Sequence, residues 1–349
     1  LKILAFVHAY LPDHMAGAET TLHDILRHLV SRGWQATVLL SMTKFSVAQQ
    51  PYYVDGIQVL PYNENDPQMF NRIVSEYDVV ISHLESSERA ALVCRKANIP
   101  IVHLIHNTMW QTEGYLATGC DLAIYNTQWV ADYHNEVNKS PLVRMARRAD
   151  TDEAHIEFAW RYQSQWDWVV VHPRVVPSDY STDGPHDCIT MINLHFMKGP
   201  EVFYEMARRF PNEQFLGVIG GYGKPVIDDS LPNVEFIENT PNVRDEVYAR
   251  TKIILMPSHY ESFGRVPIEA GASGIPSVVS DTPGLRESQG PKGRFATTLD
   301  EFEEHIAALL SPKAYAAAQK QAKQRSQYWE ASSLEDLASL DVALNKLIK

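Results

Sequence analysis

The sequence predicts an α/β protein made of two Rossmann-like domains, with a cleft between the carboxyl ends of their strands. Three observations carry this. Short apolar runs alternate with amphipathic stretches, the pattern of a mostly parallel sheet covered on both faces. At 349 residues the chain exceeds the size at which one core keeps growing. The alternation also breaks off and restarts once, near Cys188.

Taken in order, residues 2–8 read as a buried strand. Residues 18–32 read as a helix with Leu22, Ile25, Leu26 and Leu29 on one face and Gly33 as its stop. Strands are expected at 36–40, 57–60, 79–82, 101–105 and 122–125, with helices at 67–76, 85–97 and 128–137. Residues 138–166, rich in charge and aromatics (Trp160, Tyr162, Trp166), interrupt the pattern and read as a helical insertion. A strand at 169–172 closes the first domain, expected over 1–175, and 175–185 read as a linker. The second domain, expected over 186–325, has strands at 189–194, 214–219, 234–237, 252–256 and 277–279. Its helices are expected at 199–210, 242–250, 265–273, 299–310 and 312–325, and a further helix at 334–348 closes the chain.

Composition excludes several classes. Hydrophobic content of 45% and charged content of 21% are those of a globular protein. No apolar run approaches the roughly 20 residues that span a bilayer. The opening LKILAFVHAYLPD, followed by His14 and a glycine turn, reads as an internal strand and loop and not as a signal peptide. Cys94, Cys120 and Cys188 are scattered without C-x-x-C, so neither a disulfide framework nor a zinc site is indicated, and a cytoplasmic setting is expected. A net charge of −12 weighs against nucleic acid and anionic lipid as partners. Arg144, Arg147 and Arg148 are the local exception: they read first as a solvated helix face, and second as a patch for an anionic acceptor or peripheral membrane contact.

The chemistry concentrates in PSHYESFGRVPIEAGASGIPSVVSDTPGLRE, residues 257–287. Glu261 and Glu269 flank Ser262-Phe263-Gly264-Arg265, where an apolar strand turns into a helix. A helix start suits an anionic phosphate. Carboxylates beside it would repel that phosphate but accept hydrogen bonds from hydroxyls. Phosphate and polyol together point to a sugar nucleotide.

This segment resembles the E-x7-E signature of the retaining glycosyltransferases of family 4, which have the GT-B fold. The resemblance implies that Glu261 binds the donor sugar's hydroxyls, that Glu269 binds the ribose, and that the Phe263-Gly264-Arg265 turn, with Ser262 and Val266 beside it, meets sugar and diphosphate. It further implies that the last helix, within 326–349, crosses back to the first domain. The family's Gly-Gly-x-E-like turn corresponds here to Ala16-Gly17-Ala18-Glu19, which places Gly17 near donor phosphate or acceptor. His106 corresponds to a cleft histidine contacting the donor sugar, with Asn107, Thr108 and His83 as weaker acceptor-side candidates. His8 is weaker still. Lys198 corresponds to the lysine that neutralises the diphosphate. The family's arginine five residues earlier falls on Asn193, which removes one full charge; Arg265 is a candidate to compensate. Gly221, in Gly220-Gly221-Tyr222-Gly223, is expected near the nucleotide, and Ile237 and Glu238 near the base.

His103 and His106, three apart on a strand, face opposite ways, so a shared metal is not expected. Asp150-Thr151-Asp152 spells D-x-D but sits in an irregular charged stretch and reads as chance. The expectation is therefore a retaining, metal-independent glycosyltransferase without cofactor, using a UDP- or GDP-sugar and a small-molecule, glycan or lipid-linked acceptor. A nucleotide-sugar 2-epimerase of the same fold, or a non-catalytic member of the family, are the alternatives.

Overall fold

The computed structural model describes residues 1–42, 48, 50–139, 166–220 and 223–348. The insertion expected at 138–166, including Asp150, Asp152 and the arginine cluster, falls almost wholly outside them, as does Gly221. The described chain divides into two compact units, 1–173 with 334–349, and 174–333.

The first unit holds an eight-stranded sheet. Its strands are β1 (Lys2–Val7), β2 (Gln35–Leu40), β3 (Tyr52–Val54), β4 (Ile57–Leu60), β5 (Val79–His83), β6 (Ile101–Ile105), β7 (Leu122–Tyr125) and β8 (Asp167–Val170), in the order β3-β4-β2-β1-β5-β6-β7-β8. All pairings are parallel except β3 with β4. Successive side chains of a strand face opposite ways, so β1 feeds two cores. Ile3, Ala5 and Val7 pack with Leu22, Ile25, Leu26 and Leu29 of the helix Gly17–Ser31. Leu4 and Phe6 pack on the other face with Phe70, Ala90 and Val130. Strand β3 was not expected: Asp55 (φ 50) and Gly56 (φ 79) form the two-residue loop of a short hairpin.

The second unit holds a six-stranded sheet: β9 (Cys188–Ile192), β10 (Gln214–Val218), β11 (Val234–Ile237), β12 (Thr251–Met256), β13 (Ser277–Ser280) and β14 (Phe295–Ala296), in the order β11-β10-β9-β12-β13-β14, all parallel. Ile189 and Met191 pack with Phe203, Phe302 and Ile306 on one face, while Cys188 packs with Leu216, Tyr248 and Ala270 on the other.

Two helices expected at the carboxyl end are a single one, Pro312–Leu347, of 36 residues. The stretch between the two expected helices, 326–333, has no glycine or proline to break it, and Trp329 within it is buried against Phe263. Residues 334–347 of that helix belong to the first unit, where Leu337, Leu340 and Leu344 enter the core of Ile3 and Val7. The expected linker contains a one-turn helix, Pro177–Tyr180, and the helix expected at 242–250 is a short π-type turn, Arg244–Tyr248.

Candidate active site

In an open parallel sheet, a ligand binds beyond the carboxyl ends of the strands, where the chain's direction of travel across the sheet reverses. In the second unit that place lies between β9 and β12. From β9 the chain moves outward through β10 and β11; from β12 it moves the other way. A small recess opens there, lined by Met191 and Ile192 of β9, Leu255 and Met256 of β12, and Lys198, Ser258 and Val266.

The charged pair of the recess comes from the two loops that leave those strands. After β9, residues Phe196–Lys198 form a 3-10 turn that ends on Gly199. Gly199 has φ 75, and a Cβ there would lie 2.2 Å from the Pro257 carbonyl oxygen, so only glycine lets this turn sit against the β12 loop. That contact sets Lys198 Nζ directly on Glu261 Oε1 in an ion pair. Ser258 Oγ donates to the same oxygen at 3.0 Å. Sequence reading assigned Lys198 and Glu261 to separate tasks; the structure joins them.

Glu269 sits on the helix Val266–Gly271, which is shorter than the expected 265–273 and has a proline in its first turn. Its Oε1 accepts from Arg265 Nε at 3.1 Å and its Oε2 from Tyr248 Oη at 2.6 Å. Burial, then the adjacent Glu269 charge, pushes the Tyr248 phenol well above its ordinary range, so it remains a donor. Arg265, the candidate replacement for a missing phosphate arginine, is thus engaged with Glu269. Phe263 is buried on Trp329 with ring centroids 4.9 Å apart, so it presents backbone, and not its ring, to a ligand. Gly264 takes φ 80 between Phe263 and Arg265, and a Cβ there would lie 2.5 Å from Leu285 Cδ2.

Asn193 also has φ 70, a left-handed conformation that Asn tolerates better than most residues. Its Oδ1 accepts from the His195 backbone N–H at 3.0 Å, and its amide fills the space a Cβ on Gly220 would need. The residue therefore shapes the loop; it is a backbone device where a family arginine was expected. Ile237 and Glu238 lie at the carboxyl end of β11, two strands away from β9, the first half-buried and the second exposed.

The corresponding place in the first unit lies between β1 and β5. Here the sheet ends in histidines: His8 follows β1, His83 closes β5 and His106 follows β6. His83 Nδ1 and His106 Nε2 are 3.0 Å apart. Burial lowers the His106 imidazole to about 3, and burial, His106 and His8 hold His83 well below the usual range, so both are neutral. Asn107 Oδ1 accepts from Met109 N–H at 3.0 Å and Thr112 Oγ1 at 2.6 Å, which ties it to the start of the helix Trp110–Ala117; Thr108 beside it is half-buried. Gly17 opens the helix Gly17–Ser31, and a Cβ on it would meet nothing within 4 Å.

Sequence reasoning missed Ser258 and Tyr248. Ser258 follows β12 by two residues, a position that strand-end reasoning alone would have marked. Tyr248 left no signal, because its tie to Glu269 exists only in three dimensions.

Residues 15–152 match the family profile described as Glycosyltransferase Family 4, and residues 181–326 match Glycosyl transferases group 1. A D-inositol 3-phosphate glycosyltransferase of Xylanimonas cellulosilytica is 26% identical over 246 residues, covering 60% of this chain and 57% of that protein. The chain thus matches little more than half the length of this relative. Among solved structures, Anabaena HepE in complex with UDP-glucose is 17% identical with a TM-score of 0.66, over 97% of this chain and 99% of that one. Sucrose-phosphate synthase of Thermosynechococcus elongatus is 15% identical with a TM-score of 0.72, over 99% and 100%. The fold they share with this chain is GT-B. Among the described residues, no helix is long and apolar enough to cross a membrane.

Proposed function

We propose that this chain, which belongs to the GT4-type glycosyltransferases, moves a sugar from a nucleoside diphosphate donor to a hydroxyl acceptor with retention at the anomeric carbon and without a metal at the diphosphate. One observation carries this reading: Lys198, Glu261 and Ser258 converge beside the recess at the β9/β12 reversal. A lysine there meets the charge that grows on the leaving diphosphate. Glu261, held through Oε1, offers Oε2 to donor hydroxyls. Glu269 keeps lone pairs for ribose hydroxyls even with Arg265 and Tyr248 in place, since a carboxylate accepts about four hydrogen bonds.

In the proposed step the bond between the anomeric carbon and the diphosphate oxygen breaks while a bond to the acceptor oxygen forms on the same face. The acceptor's proton passes to the departing phosphate oxygen, so neither glutamate acts as nucleophile. His106, neutral at physiological pH, is available for a hydrogen bond and not for charge. The complex of the HepE neighbour with UDP-glucose makes UDP-glucose the first donor to try, and the name of the Xylanimonas relative makes a phosphorylated polyol the first acceptor.

Incubation with UDP-glucose and D-inositol 3-phosphate, followed by NMR of the anomeric proton, tests the reading. UDP release with an α-linked product supports it. An isomerised sugar without transfer replaces it with a 2-epimerase, and absence of nucleotide binding or turnover across a panel of UDP-, GDP- and ADP-sugars overturns it. In the same assay Glu261→Gln is expected to abolish transfer while UDP affinity stays within several-fold.

A further inference from the structure

The first unit contains a set of groups to which the proposed transfer step gives no role. His8 follows β1, Glu19 lies in the first turn of the helix Gly17–Ser31, and His83 ends β5. All three are buried, at 6%, 1% and 0% exposure. One ligand atom from each lies within 4.8 Å of the other two. From these contacts we propose that His8, Glu19 and His83 hold a divalent transition-metal ion at the carboxyl ends of β1 and β5.

Distance, unmet hydrogen bonding and an outer partner agree on this. His8 Nε2 is 3.7 Å from Glu19 Oε1. Two ligands on one tetrahedral zinc, each bonded at about 2.0–2.1 Å, stand about 3.4 Å apart. This pair needs only a small inward movement, and the other separations, within 4.8 Å, close by side-chain adjustment. Glu19 Oε2 and His83 Nε2 are buried and make no hydrogen bond. A carboxylate oxygen and an imidazole nitrogen in that state cost free energy unless something else meets them, and one cation meets both. His83 Nδ1 is 3.0 Å from His106 Nε2, so donation from Nδ1 leaves the lone pair on Nε2. His8 Nδ1 faces Glu85 Oε2 at 3.7 Å, beyond hydrogen-bond distance, so an outer hydrogen-bond partner is in place at His83 Nδ1 and not at His8 Nδ1.

His14 stands at the cluster's more open side, with its side chain 23% exposed and Nε2 3.8 Å from Glu19 Oε2, within reach as a fourth ligand. Imidazole with one carboxylate selects zinc, cobalt or nickel over magnesium or calcium, which prefer oxygen alone. The residues proposed above to meet the leaving diphosphate belong to the second unit, and none of them is a ligand of this ion. The inference is independent of the proposed transfer.

The test uses the full chain, stripped with a chelator and titrated with Co²⁺ alone by absorption and with Zn²⁺ alone against a chromophoric competitor. One equivalent is expected, with visible cobalt bands of low coordination number. Glu19→Gln and His83→Gln should each weaken binding by more than the roughly 10- to 100-fold typical of an outer partner, and His106→Gln by about that much. Less than one equivalent, or affinity unchanged in Glu19→Gln and His83→Gln, overturns the site. If those variants do not fold, X-ray absorption of the zinc-loaded wild-type chain decides. Two or three imidazoles with a carboxylate oxygen support it, and fewer than two imidazoles overturn it.

Discussion

The two sheets reverse direction in the same way, yet their strand ends carry opposite chemistry. Between β9 and β12 the side chains are charged and paired: Lys198 with Glu261, and Arg265 with Glu269. At the ends of β1, β5 and β6 they are imidazoles beside one carboxylate, Glu19, and His83 and His106 are held neutral by burial. Topology therefore decides where a ligand can sit, and the residues leaving the strands decide what ligand it is. A charged, partly open end suits a diphosphate and its sugar. A buried end of imidazoles with one carboxylate, Glu19, suits hydroxyls or a metal cation.

The largest test of this contrast is Lys198→Ala. Loss of this lysine from the lining of the recess should lower kcat by about 10²–10³, as for removal of a single oxyanion donor. A kcat within tenfold of wild type would place the charge of the donor site elsewhere. Next comes Glu269→Ala, which is expected to weaken UDP binding roughly 10- to 100-fold in calorimetry, the cost of one charged hydrogen-bond acceptor. Unchanged affinity would remove Glu269 from the ribose.

The smallest effect probes the neutral histidines of the other sheet. Burial, with Arg95 nearby, lowers buried His103 to about 4. Its unfolded value is about 6.5. The unfolded chain therefore takes up the proton first, and stability is lost as pH falls from about 6.5 toward 4. Between pH 7.5 and 5.5 the loss from this one group should be about 1 kcal/mol. Urea unfolding of His103→Leu should show a shallower acid decline than wild type by that amount, and parallel curves would show that His103 does not set it.

Much of the fold was legible because burial on both faces of a parallel sheet leaves long apolar runs, as in β1, β6 and β12. The hairpin at 52–60 escaped notice, although Asp55-Gly56 is a turn pair, because β3 has only three residues and no apolar alternation. Glu261 and Glu269 were readable as a pair because only seven residues of one turn and helix separate them. Lys198 was found by resemblance, but its bond to Glu261 spans 63 residues of chain and depends on Gly199 lying against Pro257. Asn193 read as a lost charge; its φ of 70 shows a left-handed backbone conformation that Asn tolerates.

The amino-acid sequence by itself determined the alternation of strands and helices, the restart near Cys188 and the glutamate pair at a strand-to-helix turn. These are local features, written in periodicity and in residues a few positions apart. Only the tertiary structure decided which groups share a proton, a charge or an ion. It seated Lys198 and Ser258 on one oxygen of Glu261, tied Tyr248 to Glu269, and brought His8, Glu19 and His83 together from three separate elements. Such contacts depend on parallel register, which aligns the ends of strands far apart in sequence and leaves no periodic trace along the chain.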